Sequence, residues 1–253
     1  PLLDIAAALK FTPAAAQAHL KSARDKLSAA RGLRVRPALD DKILTAWNAL
    51  AIGTLARAAR VTGGNAQWQA LAFEALDTLR ATAWRDGRLL ATRQGGHAVL
   101  DAYLDDHAFL LAALVECMRL DFRAIDFAWA REIADALLAH FEDRDAGGFW
   151  FTRDDHETLM HRHKPGPDNA TPSGNGIAAL ALAQFAQVAS EPRYADAAQR
   201  TVTVFARMIN GEPESFCTLL LADDALRHPA PLVVLDGEPS TTRDWRGALA
   251  RIA

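Results

Sequence analysis

The sequence predicts an all-α fold, an α/α toroid present as a partial ring of helical hairpins, with short β segments between them and a small strand-helix tail. Three observations lead there. A unit of about 65 residues recurs three times, the mark of a repeat architecture whose units bury apolar faces on one another. Each unit carries two helical segments, the first almost wholly apolar or small and the second amphipathic. The polar residues of the units collect at equivalent places, at or just before the start of the first helix.

Residues 1–38 form N-terminal helices. Within FTPAAAQAHLKSARDKLSAARG, Thr12 is a natural N-cap and Pro13 a natural first helical residue. Residues 39–226 hold the three hairpin repeats. Their first helices open at Leu39 (LDDKILTAWNALAIG), Leu104 (LDDHAFLLAALVECMRLD) and Thr171 (TPSGNGIAALALAQFAQVAS). In the first of these, Ile43, Trp47, Leu50 and Leu55 recur at helical spacing, so Trp47 is expected in the core. Second helices start near Gln67, Phe127 and Arg193, with Trp68, Trp129 and Tyr194 at their beginnings. DGRLLATR, GGFWFTRD and SFCTLLLAD then read as short extended pieces. Three such pairs make half of a six-hairpin ring. In the tail, residues 227–253, PLVVLDG reads as a buried strand and PSTTRDWRGALARIA as a helix. One glycine between them is too little for a nucleotide site.

Composition excludes several classes. The 253 residues are half apolar, with a formal charge of −3, so the chain has a core but no basic face for nucleic acid. Apolar runs stop short of the ~20 residues of a membrane span. PLLDIAAALKF lacks the basic flank and cleavage site of a signal peptide, and its first residue, proline, leaves open a processed chain or a fragment. Cys117 and Cys217 stand in apolar segments with no CxxC, which reads as two buried, reduced thiols and fits the cytoplasm. His156, His161 and His163 match no common zinc spacing; neither metal nor other cofactor is expected. There is no G-x-S-x-G elbow and no P-loop.

The candidate site lies in the polar openings: Asp40 and Asp41; Asp105, Asp106 and His107; Asp168, Asn169, Ser173 and Asn175. Parallel inner helices would bring these to one end of the ring. Helix N-termini there offer unpaired N–H groups suited to anions or sugar oxygens. An aspartate before a helix is an ordinary cap, but one suffices, and the doubled LDD needs a second explanation. Paired carboxyls, one protonated and one ionised, serve acid–base chemistry on sugars. In DNATPSGNG, Thr171 caps and Pro172 starts the helix, and Ser173, Gly174, Asn175 and Gly176 make a first turn of minimal bulk. That turn admits either a ligand or a neighbouring inner helix close to the backbone. Asn48, inside an apolar helix, needs a polar partner.

RPALDDKILTAWNALAI, LDDHAFLLAALVE and DNATPSGNGIAALAL together resemble the C-terminal region of the thioredoxin-domain-containing family related to spermatogenesis-associated protein 20, over about residues 15–245. Members of that family join a thioredoxin-like module to a six-hairpin glycosidase-like toroid. That toroid is similar to those of N-acylglucosamine 2-epimerase and cellobiose 2-epimerase. The resemblance puts motif positions at Asp40, Asp41, Lys42, Trp47, Asn48, Asp105, Asp106, Pro172, Ser173, Gly174 and Asn175. His107 stands where the family commonly has tyrosine, and the thioredoxin-like module and first half of the toroid lie outside this chain. The expected function is that of a sugar epimerase, isomerase or glycoside hydrolase. Asp106, His107 and Asp41 would be its acid–base groups. Asp40, Trp47, Asn48, Asp105, Asp168, Asn169, Ser173, Gly174 and Asn175 would hold a saccharide. The alternative is a non-catalytic ligand-binding or partner-docking module. Its expected partners are a thioredoxin-like module, the missing toroid half or a second copy, with neither nucleic acid nor membrane.

Overall fold

The computed structural model describes residues 2–157, 159–237 and 239–249. The chain forms two compact units, Pro1–Asp41 and Lys42–Ala253. In the first, helices α1 (Leu2–Ala8) and α2 (Pro13–Gly32) pack together. The Thr12 hydroxyl accepts the Ala15 N–H at 3.2 Å with Pro13 opening the helix, as the sequence predicts. Asp40 and Asp41 lie in the exposed, irregular stretch that ends this unit.

The second unit is built from α3 (Thr45–Val61), α4 (Ala66–Ala83), α5 (Leu104–Leu120), α6 (Ala124–Ala136), α7 (Gly174–Ala189), α8 (Pro192–Gly211), α9 (Cys217–Arg227) and α10 (Pro239–Leu249). Helices α3, α5, α7 and α9 pack in series, each on the next, while α4, α6 and α8 each back onto their own hairpin partner. These are the inner and outer rows of an α/α toroid. The inner row is buried nearly all round: α5 hides Leu104, Phe109, Leu110, Leu111 and Leu114, and α7 hides Ala178, Ala179, Leu182 and Phe185. Outer α8 buries one stripe, Tyr194, Ala197, Ala198, Thr201, Val202, Phe205 and Ile209, at the 3–4 residue spacing of an amphipathic helix. Fully buried Asp126 ties the outer row together, bonded to Arg80 of α4 and, at 2.6 Å, to Arg123, which also reaches Asp77.

A small antiparallel sheet sits between the first two hairpins. Its centre is β3 (Arg88–Gln94), paired with β1 (Ile43–Leu44), β2 (Trp84–Arg85) and β4 (His97–Asp101). The DGRLLATR segment is therefore the strand it resembles. Strand β1 also delays the first inner helix to Thr45 rather than Leu39, because Ile43 and Leu44 pair with Arg93 and Thr92.

Three extended segments expected from sequence differ. SFCTLLLAD is mostly helix: Leu219, Ala222 and Leu226, at helical spacing, face the core, so this run becomes a fourth inner helix. GGFWFTRD keeps only an isolated bridge, Glu142 to Phe149, because a side-chain amide takes both backbone groups of Phe149. Pro231–Gly237 forms no strand. Leu232, Val233 and Val234 stay exposed. Of the two thiols, Cys117 is buried as expected but Cys217, at the start of α9, is exposed.

The inner row depends on small residues where two helices approach. A Cβ on Gly176 would collide with Thr218 of α9, whereas one on Gly211, at the end of α8, meets nothing within 4 Å. Gly176→Ala should therefore cost about 1–3 kcal/mol in urea denaturation through overpacking. Gly211→Ala should be neutral or slightly stabilising.

Candidate functional site

The first turns of the four inner helices meet at one end of the second unit, joined by aspartates. Helix α3 begins after Leu44, which has no side chain able to cap it. The missing acceptor comes from α5: Asp106 Oδ1 takes the Ala46 N–H at 2.9 Å, and its Oδ2 takes the Tyr103 N–H at 2.9 Å. One carboxylate thus caps two helices. The device recurs at Asp168. Its Oδ1 accepts the Ser173 N–H at 2.8 Å, at the start of α7. Its Oδ2 accepts the Thr218 N–H at 2.9 Å, capping α9 behind the apolar N-cap Phe216.

Between these two staples lies Asp105, at the α5–α7 junction. Its Oδ1 is buried, has no hydrogen-bond partner, and fills the space that a Cβ on Gly174 would occupy. Both glycines of the PSGNG turn therefore make room for neighbouring helices, Gly174 for Asp105 and Leu104, Gly176 for Thr218. The helix they open is capped by Ser173 rather than Thr171, with the Ser173 hydroxyl accepting the Gly176 N–H at 3.4 Å.

Burial sets the electrostatics of this pole. It pushes the half-buried Asp105 carboxyl up to about 6. It pushes Asp106 up to about 7; the Tyr103 and Ala46 N–H groups pull the other way, and the Asp105 charge adds to the rise. His107 is buried with its ring against Phe141, centroids 4.7 Å apart. Its Nδ1–H donates to the Tyr103 carbonyl at 2.9 Å, and Nε2 is buried without a partner. Burial, with smaller help from the Arg153 guanidinium and the His140 ring, drives its basicity down to about 4 against the Tyr103 bond. His107 is thus a neutral, enclosed imidazole.

The remaining sequence candidates divide. Asn175 is fully buried; its Oδ1 accepts from Phe149 N–H at 2.7 Å, and its Nδ2 donates to the Phe149 and Pro165 carbonyls at 2.9 and 2.8 Å. It fastens the α6–α7 loop across the pole. Asn169 is exposed and bonds the next residue, Ala170. Asn48 donates to the Leu44 carbonyl at 2.8 Å, which supplies the polar partner its position demands. Trp47, expected in the core, is 63% exposed at the first turn of α3, one residue from the Ala46 N–H that Asp106 holds. Asp40 and Asp41 precede β1 and are not at the start of α3. Sequence reading missed Thr218, the second partner of Asp168, because its segment looks like a strand; the helical spacing of Leu219, Ala222 and Leu226 is the signal that would have found it.

Two open grooves lie elsewhere, one lined by Asp135, Glu142, Arg193 and Arg200, the other by Ala186, Ala225, Leu226 and Pro229; neither is lined by a residue of this pole. Among the described residues, the side-chain ligand atoms of His140, Asp154 and Asp155 lie within 4.8 Å of one another. Asp155 is already paired with Arg153 and Arg88, and the His140 ring is hydrogen-bonded to Asp154 at 2.9 Å. No helix among the described residues is long and apolar enough to cross a membrane.

The sequence matches no protein-family profile. It is homologous to the C-terminal part of spermatogenesis-associated protein 20. It is 25% identical to the Rattus norvegicus protein over 239 residues and 24% identical to the Homo sapiens protein over 229. These matches take in 89% and 87% of the chain but only 30% and 29% of those relatives. Among solved structures, cellobiose 2-epimerase from Spirochaeta thermophila superposes with a TM-score of 0.52 at 18% identity, over 65% of this chain and 43% of its own. D-mannose isomerase does so with a TM-score of 0.52 at 19% identity, over 64% and 41%. An inactive α-1,6-mannanase from Salegentibacter sp., with two consecutive aspartates changed to asparagine, gives 0.53 at 14% identity, over 64% and 46%. At these identities the shared property is the fold, a six-hairpin glycosidase-like α/α toroid.

The two adjacent carboxyls should respond differently to the same substitution. Asp106→Asn puts an NH2 against a backbone N–H and should cost about 1–3 kcal/mol in denaturant. Asp105 has a raised carboxyl pKa, so the stability it contributes is fully present below about 3.8 and lost as pH rises through about 6. Asp105→Asn removes that loss. Its stability relative to the parent should rise between pH 4 and pH 8, by about 1–2 kcal/mol once screening at its exposed side is allowed for.

Proposed function

We propose that this chain is a carbohydrate-active part-toroid that binds a saccharide at the N-terminal pole of its inner helices and exchanges a proton with it through Asp105. The reaction class is epimerisation, isomerisation or glycoside hydrolysis. The observation that carries the reading is Asp105 itself: a half-buried carboxyl, raised towards neutrality, with a buried oxygen that nothing in the pole satisfies. A carboxyl tuned to about 6 is suited to give and take a proton at neutral pH. The acid–base role moves to Asp105 from Asp106 and His107, because both oxygens of Asp106 are engaged and the His107 ring is enclosed. Trp47, exposed in the first turn of α3, offers a flat apolar face of the kind that stacks on sugar rings. The epimerase, isomerase and mannanase among the fold neighbours support the substrate class.

A second reading rests on the two ends of the inner row. Trp47 and Val61 on α3, and Leu220 and Leu221 on α9, are exposed apolar residues where a closed ring would continue. The chain spans less than half the length of those fold neighbours and about 30% of its curated relatives. The partners this reading implies are the other toroid half, a thioredoxin-like module or a second copy. The two unpaired cysteines are in keeping with a reducing, cytoplasmic setting.

A thermal-shift panel of mono- and disaccharides separates the readings. A sugar present at about 100 times its Kd should stabilise the parent by about 2.7 kcal/mol, and Asp105→Asn and Trp47→Ala should lose most of that gain. If no sugar moves the parent, the saccharide reading fails. Concentration-dependent association in sedimentation would then favour docking.

A further inference from the structure

Helix α2 is 20 residues long and buries only Ala16. Helix α1 packs on its N-terminal end, where Ala6 and Ala16 are hidden. Beyond that contact, Leu20, Ala23, Leu27 and Ala30 follow at alternating steps of three and four residues, so they line one seam of the helix. The seam is open: Leu20 is 42% and Leu27 71% exposed. The residues beside it share one sign. With the seam at the a and d positions of a heptad, Arg24 and Arg31 fall at e and Lys26 at g, the positions that face a partner helix. Residues 21–36 hold six cations and one acid, Asp25, in a chain whose formal charge is −3. Asp25 lies away from the seam and pairs with Lys21 at 2.7 Å, so Arg24, Lys26 and Arg31 carry no ion pair among the described residues. We propose that α2 is a docking helix whose partner is an amphipathic helix on another polypeptide, with acidic residues flanking an apolar seam.

Charge and side-chain size together select that occupant. A seam with two leucines is too short to hold a pair of helices by burial alone, and glutamates opposite Arg24, Lys26 and Arg31 add attraction and set the register. A second copy of α2 fails on the same ground, since in either orientation it sets cations against cations across the seam. Ala23 and Ala30 offer little apolar area to a lipid surface, whose hold on a helix scales with the area buried. The same small residues let a facing helix approach closely. The docking helix is also formed in advance: Thr12 caps it, Pro13 opens it and alanine recurs through its interior, so little order has to be gained on binding. This surface belongs to the first unit and is independent of the pole of the second and of any chemistry there.

Titration calorimetry of the full chain against synthetic four-heptad helices tests this. The probe carries leucine along its seam and glutamate at the flanking positions; its controls are the same peptide with lysine flanks and a scrambled peptide of the same composition. The parent should bind the glutamate peptide with a Kd below about 1 mM, and both controls at least about tenfold more weakly. Leu20→Gln with Leu27→Gln should weaken the glutamate peptide by about tenfold or more. Arg24→Glu, Lys26→Glu and Arg31→Glu together should transfer the preference to the lysine peptide, a reversal that a merely adhesive helix would not give. All five positions are exposed, and circular dichroism reports whether each variant keeps its helix. If the triple variant loses helix, the leucine pair decides alone. No binding of the glutamate peptide up to about 1 mM, equal binding of the scrambled peptide, or an unchanged preference in the folded triple variant overturns the proposal. Attachment to phosphatidylserine vesicles without binding of the peptide also overturns it and assigns the surface to lipid.

Discussion

Asp106, a buried carboxylate reaching across from α5, supplies the acceptor that α3 lacks at its own start. Leu44 precedes α3 and cannot cap it, so the first turn of that helix would leave N–H groups without an acceptor away from water. Asp106 removes that cost for α3 and for its own helix in one contact, and Asp168 does the same for α7 and α9. A cap shared between helices also fixes their relative height. The inner row cannot slide by a turn without breaking at least one bond of each staple. The alignment of the four helix starts at one pole follows from this, and so does any site built there.

The staples account for the uneven chemistry of the pole. Two of its three central acids are consumed by backbone donors, while Asp105 meets a glycine instead of an N–H. The missing Cβ at Gly174 admits the carboxyl but offers it no hydrogen bond, and the burial that results raises its pKa. Close packing between α5 and α7 and a tuned acid are thus one event. Glycine in the first turn costs helix propensity, and that cost is tolerated because the neighbouring helix needs the space.

The loop between α6 and α7 shows the same economy with a neutral group. The Asn175 side chain mimics a strand partner for Phe149, taking its N–H and its carbonyl, and adds a third bond to Pro165. Full satisfaction makes burial of this amide favourable in a pole where other polar atoms go unmatched. A long irregular connection is thereby fastened without a sheet.

The sequence by itself determined the helical repeat and the inner and outer character of paired helices, because these follow from apolar spacing and from the period of the chain. It also marked the LDD and PSGNG segments as needing an explanation beyond capping. Only the tertiary structure decided which explanation holds. LDD at residues 39–41 does not start a helix, since Ile43 and Leu44 are drawn into a strand with β3. LDD at 104–106 divides into one staple and one unmatched acid, according to which neighbour each side chain meets. Trp47 keeps core spacing yet faces outward, because no further inner helix among the described residues covers that side of α3. TLLL at the start of α9 is too short for period to tell strand from helix, and contact with α7 settles it as helix. Periodicity is a property of the chain alone; partners, burial and the proton affinities they set arise only when distant segments meet.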